Sequence, residues 1–225
     1  MATDDERTVG RRTVLAGAGA AAASALAGCA GRFSGGLDET TTITESYDAA
    51  GLEALTAETT NGELTVTGED RGTVALEAVK SAGSRAALEA TTVEVSREGS
   101  LLAVTVDEPD TGVTDPSPRV DLELTVPADL RVQRAVTVNG DVDVEGVFGP
   151  LVARSTNGDV TATGINGDVD VELVNGDVEV DGVDGSVSVE TVNGDIEVRQ
   201  VTGDATVQTT NGDVDISGVD GTVTT

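Results

Sequence analysis

NGDVTATGINGDVDVELVNGDVEVDGVDGSVSVETVNGDIEVRQVTG, residues 157–203, is a run in which glycine returns at every ninth position. Followed outward in both directions, the series is Gly140, Gly149, Gly158, Gly167, Gly176, Gly185, Gly194, Gly203, Gly212 and Gly221, without a gap. Two residues after each glycine stands an apolar residue, from Val142 and Leu151 to Val214 and Val223. Two further on stands another, from Val144 and Ala153 to Ile216, with Thr225 the one departure. Polar residues such as Asp143, Glu145, Asp170, Glu179 and Glu197 lie between. Alternation of period two in so short a run predicts one strand and one turn per nonapeptide.

The residue before the glycine is Asn six times, Asp twice, and Phe148 and Thr202 once each. The strict demand therefore falls on glycine, as expected where one turn residue needs a positive φ. A type I′ hairpin would want positive φ at both positions, which Phe148 and Thr202 accept poorly, so an antiparallel meander is disfavoured. A single Val-faced sheet would also need a cover, and no helix-patterned segment in this region supplies one. Coiling the strands into a solenoid lets two Val faces cover each other. Asn-Gly-Asp-Val/Ile recurs at 139, 157, 175, 193 and 211, with looser copies between. That alternation predicts an all-β, two-sided parallel β-solenoid with 18 residues (two nonapeptides) per coil, roughly five coils at ~4.8 Å each.

Upstream, strand-like alternation continues without the period, in 63–67, 91–95, 101–106 and 120–126. Asn61-Gly62-Glu63-Leu64 reads as a stray copy of the signature, 84–90 as a short helix, and Asp107 to Pro118 as an acidic, proline-bearing loop. The expectation is a set of irregular β coils that cap the N-terminal end of one body, since bare solenoid ends expose pairing edges. A separate small β-sandwich is the alternative.

Asp and Glu number 41 against 13 Lys and Arg, for a net charge of −28, with no His, no Trp and a single Cys. Without His or a second Cys there is no disulfide, no thiolate or imidazole metal site and no Ser-His or Cys-His pair. The charge argues against nucleic acid as a partner. Acidic chains with few aromatics are often disordered, but the regular Val and Gly pattern excludes that here. Lys80 is the only lysine, and the acid-rich, arginine-over-lysine balance resembles proteins of salt-loving archaea. For such a surface, self-repulsion is screened over a Debye length of only ~3 Å at about 1 M salt.

The chain opens with acidic Ala2 to Glu6, then Arg11-Arg12-Thr13-Val14-Leu15, a small-residue stretch, and Leu26-Ala27-Gly28-Cys29. Arg11 and Arg12 resemble a twin-arginine export signal, and Leu-Ala-Gly-Cys resembles a lipobox whose cysteine is the lipid attachment site. The span from Thr13 to Gly28 is short and rich in Ala and Gly for a transmembrane anchor. The expected organisation is an export signal at 1–28, a lipidated tether at 29–39, an irregular N-terminal β region at 40–136 and regular repeats at 137–225. The expected location is the outer face of the cell membrane, held there by the lipid.

With Val126-Pro127 followed by tandem Thr/Val-x-Asn-Gly-Asp-Val copies, the chain from about Thr40 to Thr225 resembles the "putative adhesin" family of β-strand-repeat domains. That resemblance implies a structural or interaction module at the cell surface, whose partner is an unidentified surface protein or glycan, and it brings no catalytic residues with it. Asp141, Asp159, Asp177, Asp195 and Asp213 form one stacked row in the solenoid, beside Asn139, Asn157, Asn175, Asn193 and Asn211. The row is a candidate cation or ligand ladder; turn chemistry, with laddered Asn amides and Asp accepting turn N–H bonds, is the favoured account of it. It lacks the extra glycines of calcium-binding nonapeptide repeats. No cofactor is expected beyond loosely bound cations. The alternative function is a carboxylate-dependent polysaccharide-active enzyme, with Asp107 to Pro118 the place to look for its site. The acids follow the repeat instead of breaking it, so a non-enzymatic role is favoured.

Overall fold

A computed structural model describes residues 39–108 and 116–225. In chain order its elements are β1 (Glu39–Asp48), β2 (Ala54–Glu58), β3 (Leu64–Glu69), β4 (Thr73–Ala82), α1 (Arg85–Ala90), β5 (Thr92–Glu98), β6 (Leu101–Asp107), β7 (Arg119–Pro127) and β8 (Arg131–Val136). The repeats follow as β9 (Val142–Glu145), β10 (Leu151–Asn157), β11 (Val160–Thr163), β12 (Val169–Asn175), β13 (Val178–Val183), β14 (Val187–Asn193), β15 (Ile196–Val201), β16 (Ala205–Asn211), β17 (Val214–Val219) and β18 (Val223–Thr224).

These strands form two nine-stranded sheets, one ordered β1-β4-β7-β3-β9-β11-β13-β15-β17 and the other β18-β16-β14-β12-β10-β8-β2-β6-β5. Neither closes into a barrel. From β8 onward the chain alternates between the sheets, so each strand pairs in parallel with the next but one: Val160 lies opposite Val178, and Val169 opposite Val187. This is a β-solenoid in which each rung lies flat on the one before.

The alternation sets the core. Val160, Ala162, Val178 and Val180 of one sheet and Val169, Val171, Val187 and Val189 of the other point inward and are buried. Each buried valine contributes about 1.5–3 kcal/mol relative to exposure, repeated rung after rung. One cluster of buried residues runs from Leu55 to Val207. It crosses from the N-terminal region into the repeats.

The N-terminal region joins the repeats through its strands. Leu64 of β3 lies opposite Val142, and Ala57 of β2 opposite Ala135, so β2 and β3 form the rung beneath β8 and β9. Asn61 bridges to Asn139. Its Asn-Gly-Glu-Leu is therefore a rung of the series and not a stray copy; β6 and β7 add one rung beyond it by pairing in parallel with β2 and β3, and β8 and β9 continue the stack on its other side. Beyond that rung β4 pairs antiparallel with β7 and β1, and β5 with β6, so the antiparallel strands β1 and β5 form the edges of the two sheets at the N-terminal end. Ser84 caps α1 by accepting from the Ala87 amide.

Positive φ was expected at every ninth glycine, and the backbone corrects this. Gly140, Gly158, Gly167, Gly176, Gly194 and Gly212 have φ between 138° and 153°; Gly149, Gly185, Gly203 and Gly221 are not in that region. What unites most of the row is close approach. A Cβ on Gly176 would lie 2.3 Å from the Gly158 carbonyl oxygen, and one on Gly185 would lie 2.5 Å from the Gly167 carbonyl group. A second row, Gly146, Gly164, Gly182 and Gly218, three residues before Gly149, Gly167, Gly185 and Gly221, holds φ of 65° to 71°.

Candidate functional site

The Asn-Gly-Asp turns bring two polar rows to one edge of the solenoid. Each Asn side chain donates from Nδ2 to Oδ1 of the Asn one rung earlier: Asn139 to Asn61 at 2.7 Å, Asn157 to Asn139 at 2.8 Å, and Asn175, Asn193 and Asn211 in turn at 2.9 Å. Beside this ladder the backbone amides of Asp159, Asp177 and Asp195 donate at 2.8 Å, and that of Asp213 at 2.7 Å, to Oδ1 of the preceding Asp. The sequence-expected row of Asp141, Asp159, Asp177, Asp195 and Asp213 is thus assembled, exposed, and engaged with the turns. The looser copies use the same bond, from Ser186 N to Asp168 and from Thr222 N to Asp204.

Past the Asp row the outer face carries a second row of acids, and a shallow groove of about 470 Å³ runs between them, lined by Asp159, Thr161, Asp177, Glu179, Asp195 and Glu197 among others. Two of these acids are held by Arg199, which pairs with Glu179 at 2.9 Å and with Glu197. On the other face Arg154 bonds Glu172 at 2.6 and 2.8 Å, which holds the Glu172 carboxyl below the usual range and the guanidinium above its own. Among the described residues no group of three or more acids is arranged to hold a metal ion.

The head of the ladder has a terminator that sequence reasoning did not pick out. Glu108 accepts from the Asn61 backbone amide at 3.1 Å and from its side-chain amide. Burial raises the Glu108 carboxyl, against the opposing pull of these bonds. The only signal in the sequence was that Asn61-Gly62 shares the repeat signature, which calls for a partner on its outer side. Lys80, the only lysine, donates to the carbonyls of Leu88 (3.1 Å) and Thr91 (2.7 Å) at the C-terminal end of α1, where a cation is favoured. Its ammonium is lowered by desolvation. Gln200 occupies the second glycine row with φ of 53° and donates to Asp181 at 3.0 Å.

Arg11, Arg12 and Cys29 lie outside the described residues, as do 109–115 of the acidic loop. Among the described residues no helix is long and apolar enough to cross a membrane.

Residues 22–224 match the family described as Toastrack DUF4097. The chain belongs to this family. No curated protein matches it. Among solved structures, a "putative cell adhesion protein" from Clostridium sporogenes is similar to this Toastrack chain with a TM-score of 0.50 at 8% identity, over 80% of this chain and 99% of that one. A "putative adhesin" from Bacteroides fragilis has a TM-score of 0.35 at 16% identity, over 82% and 95% of the two chains. A "putative lipid binding protein" from Parabacteroides distasonis has a TM-score of 0.28 at 6% identity, over 84% and 97%. The first of these shares the fold with the Toastrack chain.

Proposed function

We propose that this Toastrack protein is a lipid-anchored, cell-surface β-solenoid that acts as an adhesin-like interaction module and not as an enzyme. The observation that carries the reading is the unbroken ladder from Asn61 to Asn211, which spends the turn residues on rung-to-rung bonds and leaves two flat faces for contact. The repeat unit is an 18-residue coil of two nonapeptides, supported by the register of Val160 on Val178 and Val169 on Val187. Export by Arg11 and Arg12, lipidation at Cys29 and a role in concentrated salt rest on the sequence signals and the charge of −28. In this reading the Asp row gathers screening cations loosely, and the partner is a surface protein or glycan.

The test is adhesion and fractionation of cells carrying the native chain, Cys29→Ala, or neither. Cys29→Ala should leave the membrane fraction after a salt wash and abolish adhesion as fully as deletion does. Adhesion unchanged by deletion, or release of oligosaccharide from surface polysaccharide by the purified protein, would overturn the reading.

A further inference from the structure

We propose that the outer face of β8 and β10 binds an acidic glycan, a sugar chain bearing carboxylate or sulfate groups, through Phe148 and the guanidinium groups of Arg131, Arg134 and Arg154. The proposal deepens the adhesin-like reading by naming its partner, and it rests on that reading only for its setting at the cell surface.

These two strands break the charge pattern of the chain. In a protein of net charge −28, RVQRAV of β8 and LVARSTN of β10 carry three arginines and no acid. The next two strands of the same sheet, β12 and β14, place Asp170, Glu172 and Glu190 on that face instead. Arg131 bridges to Phe148 on the adjacent rung, and Arg134 lies opposite Val152, so the four share one face at a rung spacing of about 4.8 Å. The residues that alternate with them, Val132, Val147 and Ala153, are buried. Phe148 is 38% exposed and stands where most copies of the repeat have Asn. Arg134 pairs with Glu58 at 2.6 Å and Arg154 with Glu172 at 2.6 Å, at the two borders of the face. Arg131 is exposed and makes no ion pair among the described residues.

An aromatic ring left in water beside guanidinium groups suits a ligand with an apolar flank and an anionic group. A pyranose ring lays its C–H face on an aromatic ring, while a carboxylate or sulfate accepts paired N–H bonds from arginine. The bordering acids Glu58, Asp170 and Glu172 confine the basic face to two rungs, room for one or two ligand charges. A continuous anionic surface, such as a membrane, would meet those acids and be repelled. A peptide is disfavoured for a different reason. Both edges of β8 and of β10 are already paired, to β2, to each other and to β12, so this face opens no strand edge to a peptide backbone.

The experiment titrates the 225-residue chain carrying Cys29→Ser, without lipid and in about 1 M salt, where the net charge is screened. The probes, up to ~1 mM, are hexagalacturonate and sulfated dextran oligosaccharides, with fully methyl-esterified hexagalacturonate and unsulfated dextran as their neutral counterparts. At least one acidic probe should bind ~10-fold or more tightly than its neutral counterpart, and which one does so separates carboxylate from sulfate recognition. Phe148→Asn, which restores the residue common at this turn, and Arg131→Gln should each weaken that binding at least ~10-fold while leaving the unfolding curve in place. Arg85→Gln, on α1, should leave the binding unchanged. No preference for either acidic probe, undiminished binding by the Phe148→Asn and Arg131→Gln variants, or equally tight binding of polyglutamate or phosphatidylglycerol vesicles would overturn the proposal. Because the titration uses neither cells nor an anchored chain, its failure is separate from a failure of anchoring or adhesion.

Discussion

Asp177 accepts the backbone amide of Asp195 on its Oδ1 at 2.8 Å, so the carboxylate of one rung holds the turn of the next. The same contact recurs from Asp141 to Asp213. An acidic row that resembles a ligand site is thereby part of the scaffold, and its charge is a cost the fold carries.

Gly176→Val should be far more damaging than Asp181→Ala. The glycine has φ of 140° and its Cβ would meet the Gly158 carbonyl oxygen at 2.3 Å, so the rung must separate from its neighbour. A loss on the order of 3 kcal/mol or more is expected, against roughly 0.5 kcal/mol or less for Asp181→Ala, whose contact to Gln200 is exposed. Denaturant unfolding of the two variants in the same salt checks this; equal midpoints would contradict the turn geometry.

Gln200→Gly should stabilise the protein by about 0.5–1 kcal/mol. The other members of its row, Gly146, Gly164, Gly182 and Gly218, are glycines with similar φ, and an L side chain in that conformation is strained. The exposed bond from Gln200 to Asp181 offsets little of this. A lower melting temperature for the variant would show that the side chain contributes more than the strain removes.

Glu108→Gln should change how stability depends on pH. Because burial raises the carboxyl in the folded state, its contribution is fully present below the ordinary glutamate value and is lost as pH rises through the raised one. Gln keeps an acceptor for Asn61 and does not titrate. The stability of the variant relative to the parent should therefore be greatest at neutral pH and shrink as pH falls through the carboxylate range. A difference independent of pH, in unfolding curves at constant high salt, would argue against a desolvated Glu108.

The solenoid was readable because its information is local and repeated. A valine two residues after each glycine fixes the inward face, and Asn-Gly-Asp fixes the turn, so the Asn ladder and the amide-accepting Asp row were both anticipated. Residues 84–90 carried their own helix signal in Ser84. The role of Asn61 was not readable, because β3 to β8 intervene before its partner Asn139 and only the folded stack brings the two together. Glu108 was hidden for the same reason. The φ of Gly185 and Gly203 was misjudged because glycine answers two needs, backbone handedness and close approach, and periodicity cannot separate them. Gly146, Gly164 and Gly182 were visible as residues but fall between the members of the nine-residue series.

The most direct test compares two triple variants at Asp159, Asp177 and Asp195. Neighbouring carboxylates about 4.8 Å apart repel by slightly under ~1 kcal/mol even at the dielectric of water. Changing all three to Asn removes the charges and keeps an oxygen to accept each amide; changing all three to Ala removes both. The measurement is the salt concentration at which each chain is half folded. If the row serves the scaffold through its amide bonds, the Asn variant folds at lower salt than the parent, whereas the Ala variant is less stable than the Asn variant at every salt concentration. Coincident salt curves for the Asn and Ala variants would contradict that role.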